Sequence, residues 1–256
     1  MKKWDLIITV LLFILAALCF IFFEAYPMTV LKDPVGNKLL CGFFSHVGLS
    51  LLFGWLLYRY TGYRLFIFDR HFWKSLLWTM PCFMVAFINF PYSALITKEA
   101  EIVHMDMMGF YILYIIGVAV LEEFIFRGSL YLLISDLFRG KKHRPLITVL
   151  ICSGIFSLFH MTNLLVGADI GSTLLQCVYT FLIGAMLMVT IMKTNNIWLC
   201  ILIHAIFDFG GLLIIHLGIG NAWDTLFWIL TIVGGVLCAG HIIFTLIKLE
   251  KDYVSR

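Results

Sequence analysis

The sequence predicts an all-α, polytopic membrane bundle of about eight transmembrane helices, and three observations predict it. Of the 256 residues, 62% are hydrophobic and only 13% charged, with a mean hydropathy of +1.01, whereas soluble domains carry about a quarter charged residues. The apolar residues fall into runs of about 20, the length that crosses ~30 Å of hydrocarbon as a helix. When those runs are counted as spans, the basic residues segregate to one face of the membrane.

In order, the runs are Trp4–Phe23, Leu39–Tyr58, Phe72–Ile96, Met107–Phe138, Pro145–Thr162, Leu174–Met192, Ile197–Leu217 and Thr225–Ile247. Lys2 and Lys3 ahead of the first run have the look of a signal peptide. The run is long, however, and no small-x-small cleavage site follows it, so a retained helix is expected. The fourth run is longer than a bilayer needs and is expected to tilt or to project at its Asp136 end. Eight spans place Lys2, Lys3, Arg59, Arg64, Arg70, Lys74, Arg139, Lys141, Lys142, Arg144, Lys193, Lys248, Lys251 and Arg256 on one side, against Lys32, Lys38 and Lys98 on the other. The positive-inside rule then puts the richer face, with both termini, in the cytoplasm. No repeat, low-complexity stretch or linker marks a second domain, so residues 1–256 are read as one membrane domain with a motif-bearing core at about 107–217. Gly210-Gly211 and Gly234-Gly235 are read as points of close helix packing.

The net charge of +3 is scattered between apolar runs, which argues against nucleic-acid binding. Cys19, Cys41, Cys82, Cys152, Cys177, Cys200 and Cys238 all lie in apolar runs without a CxxC pair, and are read as packing residues rather than disulfides or thiolate metal ligands.

Function is sought where charge enters the apolar runs. An ionisable side chain at membrane depth costs at least ~2.5–3.5 kcal/mol on insertion scales, so it faces the bundle interior and finds a partner or water. Glu122, Glu123 and Arg127 lie in the fourth run, His160 in the fifth, and His204 and Asp208 in the seventh. His46 and His241 are read as packing residues, and His104 and His216 as residues near span ends within reach of water. Glu123 precedes Arg127 by four residues, the favourable order for an ion pair along a helix face. Glu122, turned ~100° from Glu123, is left to look to another helix and is the candidate base. His160 shares a helix face with Phe156, and His204 with Asp208. Taken singly, such residues also serve simply to hydrogen-bond neighbouring helices. Together, a carboxylate base, two histidines and a second carboxylate from three spans form the inventory of a hydrolase.

The motifs EExxxR (Glu122, Glu123, Arg127), FxxxH (Phe156, His160) and HxxxD (His204, Asp208), in that order on successive spans, resemble the CAAX-protease and bacteriocin-processing (CPBP, or Abi) family, which includes the type II CAAX prenyl endopeptidases. The resemblance implies an intramembrane endopeptidase that hydrolyses hydrophobic or lipidated peptides or membrane proteins. Glu122 would activate water with help from His160. His204 and Asp208 would position the water, bind metal or hold the oxyanion, while Glu123, Arg127 and Phe156 shape the site. The family's last motif often ends in Asn, whose amide donates, whereas an ionised Asp208 only accepts. Members are often called metalloproteases, yet the sequence has no HExxH helix. A zinc ion held by His160, His204, Asp208 and Glu122 and a metal-free glutamate mechanism draw on the same residues, and the sequence leaves both open. The compact chain looks like a bacterial member, which implies a bacterial cell membrane, surrounding lipids and substrates such as bacteriocin precursors or small membrane proteins. Two other readings are a non-catalytic regulator or self-immunity protein that binds a sensor kinase or a bacteriocin-related partner, and a proton-coupled transporter. The lack of a repeat weighs against the transporter.

Overall fold

The fold is described from a computed structural model, which covers residues 28–61 and 72–254 together with isolated positions between 11 and 19. The expected first span, Trp4–Phe23, lies outside the described residues apart from those isolated positions. Each of the seven remaining runs is helical. α1 (Pro34–Thr61) is followed by α2 (Phe72–Trp78), α3 (Met80–Ile88), α4 (Tyr92–Thr97), α5 (Met108–Glu123), α6 (Tyr131–Leu137), α7 (Arg144–Phe159), α8 (Ile170–Thr194), α9 (Ile197–Gly211), α10 (Leu213–Leu217) and α11 (Thr225–Val254).

Six helical stretches among the described residues are long and apolar enough to span a bilayer: Pro34–Trp55, Met80–Thr97, Met105–Leu137, Arg144–Val166, Ile170–Thr194 and Thr225–Tyr253. The count of six against the expected eight has two sources. The first run is not described, and the run Ile197–Leu217 divides at Leu212 into α9 and α10, leaving only the shorter apolar helix Ile197–Gly211. The run Phe72–Ile96 is also interrupted, because Pro81 opens α3 and Pro91 stands immediately before α4. A proline has no N–H with which to continue a preceding helix, but suits a helix start. The protein is thus an all-α, multi-pass integral membrane protein with broken helices on the side of α3, α9 and α10.

A short antiparallel ribbon closes one end. β1 (Ala100–Ile102) pairs with β2 (Gly218–Gly220) in the register Ala100↔Gly220, Glu101↔Ile219, Ile102↔Gly218. Gly220 has φ +96°, and a Cβ there would run into the Glu99 carbonyl and the Ala100 backbone. Glycine alone permits this turn at low cost. At the opposite end lie Trp78, the α6–α7 connection, Lys193 and the last turns of α11, joined by Gly140 N–H to Tyr253 Oη (3.1 Å) and Lys193 Nζ to Asp252 Oδ2 (3.2 Å). Lys248 and Lys193 stand over the Trp78 ring, at 4.5 and 5.5 Å from its centroid. Long cationic stems that lay their apolar length on an aromatic ring at a span end are typical of a membrane interface.

α5 lies at the centre, packed on α1 and α9, while α8 is held between α7 and α11 and α3 between α9 and α11. α9 enters the core through a tight turn. Asn195 adopts the left-handed conformation (φ 51°), and the Asn196 side chain accepts from Trp198 N–H (3.0 Å) and Leu199 N–H (3.3 Å), capping the helix. At its far end Gly210 sits on the backbone of Asn89 and Phe90 and Gly211 on the Asn89 amide, as close packing requires. Gly234 rests on Ile88, whereas Gly235 faces open space. Gly210→Ala is therefore expected to force α9 off α3, with a loss of about 1–3 kcal/mol from overpacking. Thermal unfolding in detergent checks this, with Gly235→Ala as the neutral comparison.

Candidate active site

The α5 helix does not end at Glu123 but widens into a π-helical stretch, Phe124–Leu130, before resuming as α6. Glu122 and Glu123 occupy the last turn before that stretch, and Arg127 its middle. Wide turns of this kind are recurrent at functional sites. Glu122 is about 26 and 23 Å from the two ends of the Met105–Leu137 run at ~1.5 Å per residue, which places it near the middle of the span.

The two glutamates have different surroundings. Glu123 and Arg127 have fully buried side chains, and Arg127 Nη1 donates to Glu123 Oε1 at 2.8 Å. Arg127 Nη2 also donates to the Gly184 carbonyl (3.3 Å), and its guanidinium lies 4.5 Å from the centroid of the Phe156 ring. The expected Glu123–Arg127 pair is therefore present and is extended to α7 and α8. Phe156 stands between the two histidines, edge to face with His160 (5.0 Å) and with His204 (6.0 Å). It packs similarly on Phe126 (4.8 Å).

His204 joins the glutamates across helices. Its Nδ1 lies 2.7 Å from Glu123 Oε1, while Nε2 lies 3.3 Å from Asp208 Oδ2 and 3.6 Å from Glu122 Oε2. The buried acceptor that orients the imidazole at Nδ1 is thus Glu123, and Asp208 stands on the other side of the ring. Because a carboxylate only accepts, Nδ1 carries a hydrogen, and a proton is also required on Nε2 or on one of the two carboxylates that face it. His160 has Nδ1 2.9 Å from the Phe156 carbonyl. A carbonyl accepts only, so Nδ1–H donates and Nε2 is the nitrogen available to a partner. Glu122 interacts electrostatically with His204, His160, Asp208 and Glu123, so the four expected catalytic side chains lie near one another. Glu122 and Asp208 keep 14% and 18% side-chain exposure, against 0% for Glu123. Glu122 and Asp208 are therefore the carboxylates that water or a substrate can reach.

Sequence reasoning missed several residues that hold this site. Asn89 Nδ2 donates to the Phe207 carbonyl (2.8 Å), and Tyr111 Oη donates to the carbonyls of Phe209 (2.7 Å) and Asp208 (3.3 Å). These bonds satisfy carbonyls of the last turn of α9, where the ladder runs out at Leu212. Asn89 was findable as an amide within an apolar run, whereas nothing local distinguishes Tyr111 from the other tyrosines. His46 Nδ1–H donates to the Gly42 carbonyl (2.6 Å) and its ring abuts Tyr114, and His241 packs near Trp78, both away from this cluster. His216 is packed between the Tyr111 and Tyr114 rings rather than simply facing water.

Among the described residues, no three His, Cys, Asp or Glu side chains converge in a way that would hold a metal ion. His204 donates from Nδ1 to Glu123, and its Nε2 faces Asp208 and Glu122. The steps proposed for the reaction use only these side chains and water.

The fold and site define a multi-pass membrane protein with an acid–base cluster at mid-span. Residues 104–210 match the family model for type II CAAX prenyl endopeptidase Rce1-like proteins, a peptidase family. The matched stretch contains all three motifs, in agreement with the resemblance they carry. No curated protein matches the chain.

Proposed function

We propose that the protein is an intramembrane endopeptidase in which Glu122 activates water to cleave peptide bonds of hydrophobic or lipidated substrates. The observation that carries this reading is the juxtaposition of partly open Glu122 and Asp208 with His204 and His160 at mid-span, braced by the buried Glu123–Arg127 pair. In the reaction, Glu122 takes a proton from water as the water oxygen bonds to the scissile carbonyl carbon, with His160 Nε2 accepting the second water hydrogen bond. His204 donates from Nε2 to the developing oxyanion, held in orientation by Glu123 at Nδ1. Asp208 accepts from Nε2 between turnovers. Glu122 then returns the proton to the leaving nitrogen as the C–N bond breaks, giving a carboxylic acid, which ionises in water, and an amine.

An apolar cavity of about 360 Å³ supports the substrate class. Phe87 and Phe90 line it, with Ile112 and Ile115 of α5 and Ala205 and Phe209 of α9, which flank His204 and Asp208 in sequence. The basic end of the bundle is assigned to the cytoplasm on the charge bias, with both termini there, in a bacterial membrane; one membrane domain with its core at about 107–217 serves the whole activity.

The test is to incubate purified protein in detergent with a library of hydrophobic and prenylated peptides and to identify products by mass spectrometry, with and without a chelator. Cleavage that a chelator leaves unchanged is expected. Reversible chelator inhibition would replace the glutamate-only mechanism with a metal one. No cleavage across the library by folded protein would favour a binding role instead.

A further inference from the structure

The basic end of the bundle holds a second cavity, of about 310 Å³, unrelated to the cluster around Glu122. Ser135, Arg144, Lys193, Asp252 and Tyr253 supply its polar lining, and Pro145, Met192 and Leu249 its apolar one. Arg144 is fixed in place. Its Nε donates to the Ser135 carbonyl (2.7 Å), Nη2 to Ser135 Oγ (2.5 Å), and its guanidinium lies 5.7 Å from the Tyr253 ring centroid. Those bonds use two of the five guanidinium N–H donors and hold the group at the cavity wall. Lys193 reaches the cavity from the end of α8, bonded on one side to Asp252. Arg139, Lys141 and Lys142 lie on the adjoining connection and Lys248 and Lys251 in the last turns of α11, at the same end of the bundle.

We propose that this cavity binds the phosphate of an anionic phospholipid headgroup, with Arg144 and Lys193 as its ligands. A pre-oriented guanidinium beside an ammonium fits a phosphate, and basic pockets between span ends are the usual receptors for anionic headgroups. A lipid rather than free phosphate fits the setting. The cavity lies at the basic span end, where Lys193 and Lys248 stand over the Trp78 ring, the depth at which lipid headgroups stand. Lys248, 4.2 Å from the Phe244 ring centroid, marks the depth of the polar boundary. The site is independent of peptidase activity.

The experiment is native mass spectrometry of the full-length protein released from detergent with phosphatidylglycerol or phosphatidylcholine, comparing wild type, Arg144→Gln, Lys193→Gln, the double variant and Lys98→Gln at the opposite end. Wild type is expected to retain one phosphatidylglycerol in preference to phosphatidylcholine. Each substitution in the cavity should weaken retention about fivefold, and Lys98→Gln should leave it unchanged. Lys193→Gln leaves the Arg144–Ser135 bonds intact, so it carries the test if Arg144→Gln does not fold. Equal retention by wild type and the folded cavity variants, or no preference over phosphatidylcholine, overturns the proposal. Displacement of the lipid by millimolar inorganic phosphate assigns the cavity to free phosphate and overturns the lipid assignment.

Discussion

Glu122→Gln is expected to lower kcat/KM by about 10²–10⁴-fold while leaving the protein folded, because it removes the group that takes the proton from water. The amide keeps the shape of the side chain and can still meet Asp208 and His204, so packing is preserved. Glu122 is also not the residue on which the buried network rests, since Arg127 bonds to Glu123. A cleavage assay paired with thermal unfolding of both proteins checks this. A variant that cleaves at the wild-type rate would remove Glu122 from the mechanism, and one that unfolds would make it a structural residue instead.

The second large effect concerns the Glu123–Arg127 pair. Both side chains are fully buried, so replacing one partner leaves an uncompensated charge in the core. Arg127→Met is expected to cost about 3–5 kcal/mol of stability. Replacing both at once, with Glu123→Leu and Arg127→Met, should recover most of that loss, since a buried ion pair is often matched by apolar residues of similar volume. Activity should not recover with it. Glu123 also accepts from His204 Nδ1 at 2.7 Å, so the double variant frees the imidazole to take the wrong tautomer or orientation. A fall of about 10²–10⁴-fold in kcat is expected, as when a buried orienting carboxylate is neutralised in a hydrolytic triad. Stability and turnover should thus part company in the double variant. Recovery of both would reduce Glu123 to a counter-ion for Arg127.

Much of this site was legible in the chain because charge inside an apolar run is costly enough to demand a reason. The split between Glu122 and Glu123 followed from helix geometry, since only Glu123 stands four residues before Arg127. What spacing could not show was the contact between Glu123 and His204, because it joins residues brought together by the packing of α5 on α9. Nor could it show that Asp208 faces Nε2 while Glu123 takes Nδ1. The π-helical stretch after Glu123 is a consequence of packing without a local marker, and the apolar run reads as one continuous helix. Breaks within the apolar runs were hidden for a related reason. Hydropathy counts apolar residues but does not register that Pro81 and Pro91 divide one run, or that α9 stops where Gly210 and Gly211 meet Asn89. The charge bias located the basic end, yet the cavity at Arg144 depends on α6, α7, α8 and α11 meeting there.

The most direct test of water activation by Glu122 is a single turnover in ¹⁸O-labelled water, followed by mass spectrometry of the product and of the enzyme peptide containing Glu122. Direct attack of water places one ¹⁸O in the new carboxylate of the product and leaves Glu122 unlabelled. Label in Glu122 with unlabelled product would instead show that its carboxylate attacks the substrate and forms an anhydride, contradicting its role as a base.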